Sequence, residues 1–80
     1  MTEFGLPNNA GPLDIATGSD GALWFTEETA NKIGRMGTGG SLSEFPIPTA
    51  DSLPFGLTSA PDGGLWFTEN NGDKIGRIHP

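Results

Sequence analysis

The chain has no cysteine and no tyrosine, a single histidine, and only four basic residues among its 80. Without cysteine, neither a disulfide nor a thiolate metal site can brace a domain this small, and nothing reports on redox compartment. No apolar run approaches the ~20 residues that a membrane-crossing helix needs. The N-terminus also lacks the basic and apolar regions of a signal peptide. Ten acidic residues against four basic ones leave a net charge of −6, which argues against nucleic acid or an anionic membrane surface as partner. Lys32, Arg35, Lys74 and Arg77 are the whole basic complement, and all four fall inside one repeated motif. No basic patch exists outside it.

What is present is turn chemistry and a repeat. Thirteen glycines and seven prolines, with tryptophan and phenylalanine as the main aromatics, suit short strands joined by tight turns rather than helices. "LWFTEETANKIGR" (Leu23 to Arg35) returns as "LWFTENNGDKIGR" (Leu65 to Arg77) at a spacing of 42. The match runs back through Asp20-Gly21 onto Asp62-Gly63, Ile15 onto Leu57, and Pro12 onto Pro54. Further back the offset is 41, with Glu3-Phe4 matching Glu44-Phe45 and Pro7 matching Pro48. One residue has been inserted between Pro48 and Pro54, so that stretch is a loop.

One period holds four strand-like segments: "LDIATG", "ALWFTE", "KIGRM" and "LSEFPIP". Asp20-Gly21 and Asp62-Gly63 supply residues that tolerate the positive φ of a hairpin turn, and Asn71-Gly72 gives a similar signal between the next two strands. The prolines of "FPIP" mark the fourth segment as an edge strand. Meanders of four strands repeating every ~40–45 residues predict an all-β chain built of β-propeller blades. Alternation along "LWF" turns Leu23 and Phe25 to one face and Trp24 to the other, so both faces need cover. A blade stacked between two neighbours provides it. A small β-sandwich of the two copies is the alternative, and it would leave apolar side chains on both outer faces.

The phase of the repeat predicts how the chain is used. Residues 1–11 hold a spare outer strand ("TEFGLP") and linker, 12–48 a complete blade, and 49–80 a linker and three strands of a second blade. Two blades cannot close a ring. The expectation is a homo-oligomer in which the N-terminal strand of one copy completes the last blade of its neighbour. A homotrimer gives a six-bladed ring and a homotetramer an eight-bladed one; an asymmetric ring of four chains with one blade left out is a further possibility. Small residues on the first strand (Ala16, Gly18, Ala60) permit a narrow channel, and fewer chains lose less association entropy, which favours the trimer slightly.

At "GALWFTEETANKIGRM", "SEFPIPTADSLPFGLT" and "GGLWFTENNGDKIGRI" the sequence resembles the repeats of the virginiamycin B lyase family, over nearly the whole chain. That resemblance implies relatives that are single seven-bladed chains, of which this sequence holds two blades. It implies elimination chemistry on a cyclic depsipeptide, with histidine bases, a glutamate and magnesium near the central channel. The family's histidines follow a proline at the start of the innermost strand. Here those positions hold Leu13, after Pro12, and Phe55, after Pro54, and neither side chain takes a proton. The expectation is therefore no enzyme, with no catalytic, cofactor-binding or metal-binding residue carried over.

The remaining chemistry-bearing residues have structural readings that outweigh functional ones. Trp24 and Trp66 fit packing between blades better than a ligand platform. Glu27, Glu28 and Glu69 sit at strand ends, where pairing with Lys32, Arg35, Lys74 or Arg77 explains them without acid–base work. Asp20, Asp62 and Asp73 are turn residues rather than calcium ligands, which must converge in one loop. His79 lies on an outward turn. "GTGG" (Gly37 to Gly40) lacks the lysine and hydroxyl spacing of a phosphate loop. The function expected is a self-assembling scaffold without catalysis. The alternatives are a ligand-binding module using the channel, with Phe55 near its mouth, and residual streptogramin B lyase-like activity.

Overall fold

The computed structural model describes all 80 residues as two antiparallel sheets. The first holds β1 (Pro12–Thr17), β2 (Leu23–Glu27), β3 (Lys32–Met36) and β4 (Leu42–Pro46), in the order β1-β2-β3-β4. The second holds β5 (Pro54–Ser59), β6 (Leu65–Glu69) and β7 (Lys74–Ile78), in the order β5-β6-β7. Each is a meander whose sequential strands pair through short turns. The registers repeat: Phe25 faces Gly34 as Phe67 faces Gly76, and Ile15 faces Phe25 as Leu57 faces Phe67. In both sheets the innermost pairing slips at one place, between Pro12 and Ile15 and between Pro54 and Leu57. The proline that opens each inner strand lacks the ladder donor, so pairing is irregular there.

The hairpin turns form where the sequence places them, by a division of labour that the Asp-Gly signal alone does not give. Only the glycines take positive φ, 83° at Gly21 and 84° at Gly63. The aspartates act through their carboxylates: Asp20 Oδ1 accepts from the Ala22 amide at 3.0 Å and the Trp24 indole at 3.1 Å. Asp62 Oδ1 repeats this with the Gly64 amide at 2.9 Å. Between the next two strands, positive φ falls not on Asn71-Gly72 but on Asp73 (54°) and, in the first sheet, Asn31 (60°). Asparagine and aspartate tolerate that region when a local polar contact supports it.

The two sheets stack through their inner strands, β1 and β2 against β5, and spread apart toward β4 and β7. This is the wedge of successive blades, not the evenly spaced layers of a sandwich. Trp24 and Ile33 of the first sheet meet Leu57, Leu65 and Phe67 of the second, with Ala22 and Ile47 completing the core. Polar links run through the same seam. Asp14 Oδ2 accepts from the Leu57 amide at 2.8 Å, and the Thr26 hydroxyl donates to the Phe55 carbonyl at 3.1 Å. Residues 1–7 form no strand in the single chain.

Candidate functional site

The inner strands carry the positions where the family resemblance implies bases. Leu13 and Phe55 are both about half exposed at the inner end of their sheets, next to the prolines that open β1 and β5. Both side chains are apolar, with no proton to give or take. No group of three or more His, Cys, Asp or Glu side chains gathers to hold a metal ion. His79 is exposed, with its Nε2 2.6 Å from the Arg77 guanidinium.

The glutamates that end β2 and β6 depart from expectation. They do not pair with the arginines. Arg35 Nε binds Asp20 at 2.8 Å and Arg77 Nε binds Asp62 at 3.2 Å, each guanidinium lying over the neighbouring tryptophan at 5.9 and 5.6 Å. Alternation explains this: Arg35 shares a face with Trp24, whereas Glu27 shares the opposite face with Leu23 and Phe25. Glu27 is fully buried with neither carboxyl oxygen hydrogen-bonded, and Glu69 Oε1 is buried and equally unpartnered. Burial raises the Glu27 carboxyl from its ordinary 4.5 to about 7, the adjacent Glu44 carboxyl adds to the rise, and Lys32 opposes it. Lys32 itself reaches Glu44 at 3.8 Å. Two carboxyls thus compete for one lysine at the edge of an apolar face, and the buried one, Glu27, keeps its proton up to about pH 7.

The guanidinium of Arg35 beside Asp20 holds that carboxyl down at about 2, the indole and backbone donors assisting. Asp62 is likewise lowered, first by the Gly64 amide. Both aspartates are therefore charged turn caps.

The largest unpartnered features are two sheet faces. On the first sheet, Leu6, Leu13, Ile15, Leu23, Phe25 and Met36 line an open apolar cleft of about 370 Å³. On the second, Trp66 and Ile75 border one of about 320 Å³ with Thr58 and Thr68. Leu23 and Phe25 are the repeat equivalents of Leu65 and Phe67, which lie inside the seam; Trp66 is the equivalent of Trp24, which also lies inside it. Each open face is thus a copy of one side of a contact the molecule already makes.

Four residues of the seam and linker are not singled out by motif reading: Asp14, Thr26, Asn31 and Ser52. Asn31 Nδ2 donates to the Thr49 carbonyl at 2.9 Å, and its Oδ1 accepts from the Ser52 amide at 3.0 Å and hydroxyl at 2.6 Å. The one available signal is difference between copies, Asp14 against Gly56 and Asn31 against Asp73. Those are the places where only one copy has a following blade to hold.

Twisted meanders stacked through their inner strands define a pair of β-propeller blades. The model of the Virginiamycin B lyase family matches residues 1–80, and the chain belongs to that family. It is 47 % identical over 60 residues to the virginiamycin B lyase of Bordetella bronchiseptica (strain ATCC BAA-588 / NCTC 13252 / RB50), covering 72 % of this chain and 20 % of that enzyme. Against the selenomethionine-substituted virginiamycin B lyase from Staphylococcus aureus the TM-score is 0.92 at 46 % identity, over 99 % of this chain and 27 % of that one. A catalytically inactive histidine-to-alanine variant of the S. aureus enzyme, solved with quinupristin, superposes at TM-score 0.88 and 47 % identity, over 96 % of this chain and 27 % of that one. The chain therefore spans about a quarter or less of the relatives it matches. No helix in it is long and apolar enough to cross a membrane.

Proposed function

We propose that this chain is a structural unit that builds a closed propeller by association of copies, three or four to a ring, and contributes no catalytic group of its own. The observation that carries the reading is the equivalence of the open faces to the buried seam. A second copy offering its Leu23 and Phe25 face to Trp66 repeats, between chains, the contact between Trp24 and the Leu65 and Phe67 face within one. Such contacts are head-to-tail, and head-to-tail contacts make rings when the rotation closes. Each junction covers about half a dozen apolar side chains, on the order of 10 kcal/mol gross at ~1.5–3 kcal/mol each. That is comparable with the entropy lost on association, so ring closure, whose last junction is intramolecular, is what makes the assembly hold. Native mass spectrometry of the 80-residue chain is expected to give three or four copies per particle. A compact, folded monomer at tens of micromolar would overturn the reading.

Family membership supports a second reading, in which these blades form part of the wall of a streptogramin B-opening site when set among blades that supply a histidine. Leu13 and Phe55 would then offer apolar contact to the ligand rather than chemistry. Titrating the chain with quinupristin and following tryptophan emission separates the two: the wall reading expects saturable binding without ring opening, whereas the structural reading expects no binding. Ring opening by this chain alone would refute both.

A further inference from the structure

In the second sheet β7 has no strand paired along its outer edge, and residues 2–6, which form no strand in the single chain, carry the sequence that fits it. We infer that β7 accepts residues 2–6 of a second copy as its outer strand, placing that copy's Phe4 on Trp66 and its Glu3 beside Glu69. This rests on the ring reading above and names the contact that would complete each junction.

The template is the first sheet. There β4 pairs with β3 so that Phe45 stands opposite Ile33 and Glu44 opposite Gly34. Phe45 stacks on Trp24 with ring centroids 5.7 Å apart and planes 17° from parallel. Residues 3–4 and Pro7 repeat 44–45 and Pro48 at an offset of 41, and Lys74–Ile78 repeats Lys32–Met36 at 42. Transposing the register sets Phe4 opposite Ile75, Glu3 opposite Gly76 and Gly5 opposite Lys74. Lys74 then meets Glu3 as Lys32 meets Glu44, at 3.8 Å in the first sheet.

Exposure marks what the second sheet lacks. Ile33 is 2 % exposed under β4 and its equivalent Ile75 is 65 %; Trp24 is 2 % and Trp66 37 %. The donor is likewise unpaired by any strand, and Phe4 is 51 % exposed. Ile47, buried in the seam, shows where Leu6 would go.

The chain's own N-terminus cannot fill its own edge. Phe4 packs on Gly40, in the turn between β3 and β4, and Leu6 lies in the cleft with Leu23 and Phe25. That is the face of the first sheet turned away from the second. The segment therefore already lies flanking the first blade on the side where a preceding blade's outer strand runs, directed toward a neighbour rather than back to β7.

The absence of cysteine makes the test clean. The double variant Gly5→Cys with Lys74→Cys, two exposed positions, is oxidised and run on a non-reducing denaturing gel beside Gly5→Cys with Arg77→Cys, which is out of register. The expected result is a ladder of covalent multimers from the first pair and none from the second. Native mass of the unmodified chain is read in parallel. Ring-sized particles without in-register cross-links, or with intrachain cross-links only, overturn strand donation and leave the ring standing. A monomeric unmodified chain overturns the ring and this inference with it. As a measurement independent of cysteine, Phe4→Ala should red-shift tryptophan emission and loosen the assembly; unchanged emission and mass also count against the strand.

Discussion

Trp24 and Trp66 occupy the same place in two copies of one sequence, with the same leucine before, phenylalanine after, indole-bound aspartate and overlying arginine. Trp24 is 2 % exposed and Trp66 37 %. Nothing in the local motif differs enough to cause this. The first blade has a fourth strand and a following blade against that face, and the second has neither within the chain. Local interactions fix the strand and the rotamer, whereas burial belongs to the neighbour. A blade is thus a unit of local structure but not of stability, as in other stacked repeats, where interface terms dominate.

The sharpest way to break the comparison is to truncate both indoles. Trp24→Ala should cost about 3–5 kcal/mol, the range for a large buried aromatic. Trp66→Ala should cost under about 1 kcal/mol in dilute monomer, because a half-open site loses little burial. At assembling concentrations the two losses should converge if the Trp66 face is covered as Trp24 is. Urea denaturation of both variants at low and high protein concentration measures this. Equal losses at low concentration would mean that burial in the single chain does not set the energetics.

Next in size is the linker lock. Asn31→Ala removes the acceptor for the Ser52 amide and hydroxyl in a residue with no exposure, at an expected cost of about 2–3 kcal/mol. Asp73→Ala changes the same backbone position, φ 54° against 60°, without a linker in its grip. It should cost only the left-handed backbone term, about 1 kcal/mol. The difference between the two midpoints isolates the lock from the backbone strain they share.

The contrast also shows what the sequence makes legible. Period, strand order, the Asp-Gly turns and the paired apolar faces all follow from local pattern, because alternation and turn residues act over a few positions. The isolation of Glu27 and the partner of Arg35 do not. Both lie one or two strand widths from several opposite charges, and only the face each occupies decides the choice. Reading Leu23, Phe25 and Glu27 as one alternating set would have placed the glutamate on the apolar face, away from Arg35. Asn31 and Ser52 are 21 residues apart and join only once the linker folds back, so no spacing announces them. The inner-strand positions Leu13 and Phe55 were legible only through family resemblance.

Smaller again is a pH effect confined to the first blade. Glu27 has its folded value raised to about 7 from an ordinary 4.5, so the folded state binds more protons than the unfolded one between those values. Stability therefore falls as pH rises through that window and levels off above it. At about 1.4 kcal/mol per unit the displacement bounds the loss between pH 4.5 and 7.5 at about 3 kcal/mol, and screening by water at the sheet edge brings the expected loss to about 2 kcal/mol. Glu27→Gln should flatten this limb. A midpoint that rises over the same range in the unmodified chain would mean the carboxyl is ionised in the folded state and held by Lys32.

The smallest effect tests the two turn caps. Asn in place of either aspartate keeps an acceptor for the backbone amide and indole but removes the ion pair with the arginine. Asp20 makes the shorter contact to its arginine, 2.8 Å against 3.2 Å, and both partners are less exposed than Asp62 and Arg77. Asp20→Asn should therefore lower the thermal midpoint more than Asp62→Asn, and both losses should be smaller than the Glu27 effect and shrink in high salt. The sign with pH is opposite to that of Glu27. The folded Asp20 carboxyl, lowered to about 2 from 3.8, adds stability above pH 3.8 that is lost as pH falls through 2. The unmodified chain should then be most stable near pH 4–5, between the acid limb set by the caps and the neutral limb set by Glu27. Asp20→Asn should soften the acid limb alone. If it shifts the neutral limb as well, the cap and the buried Glu27 carboxyl are coupled through β3, and the blade responds to protons as one unit.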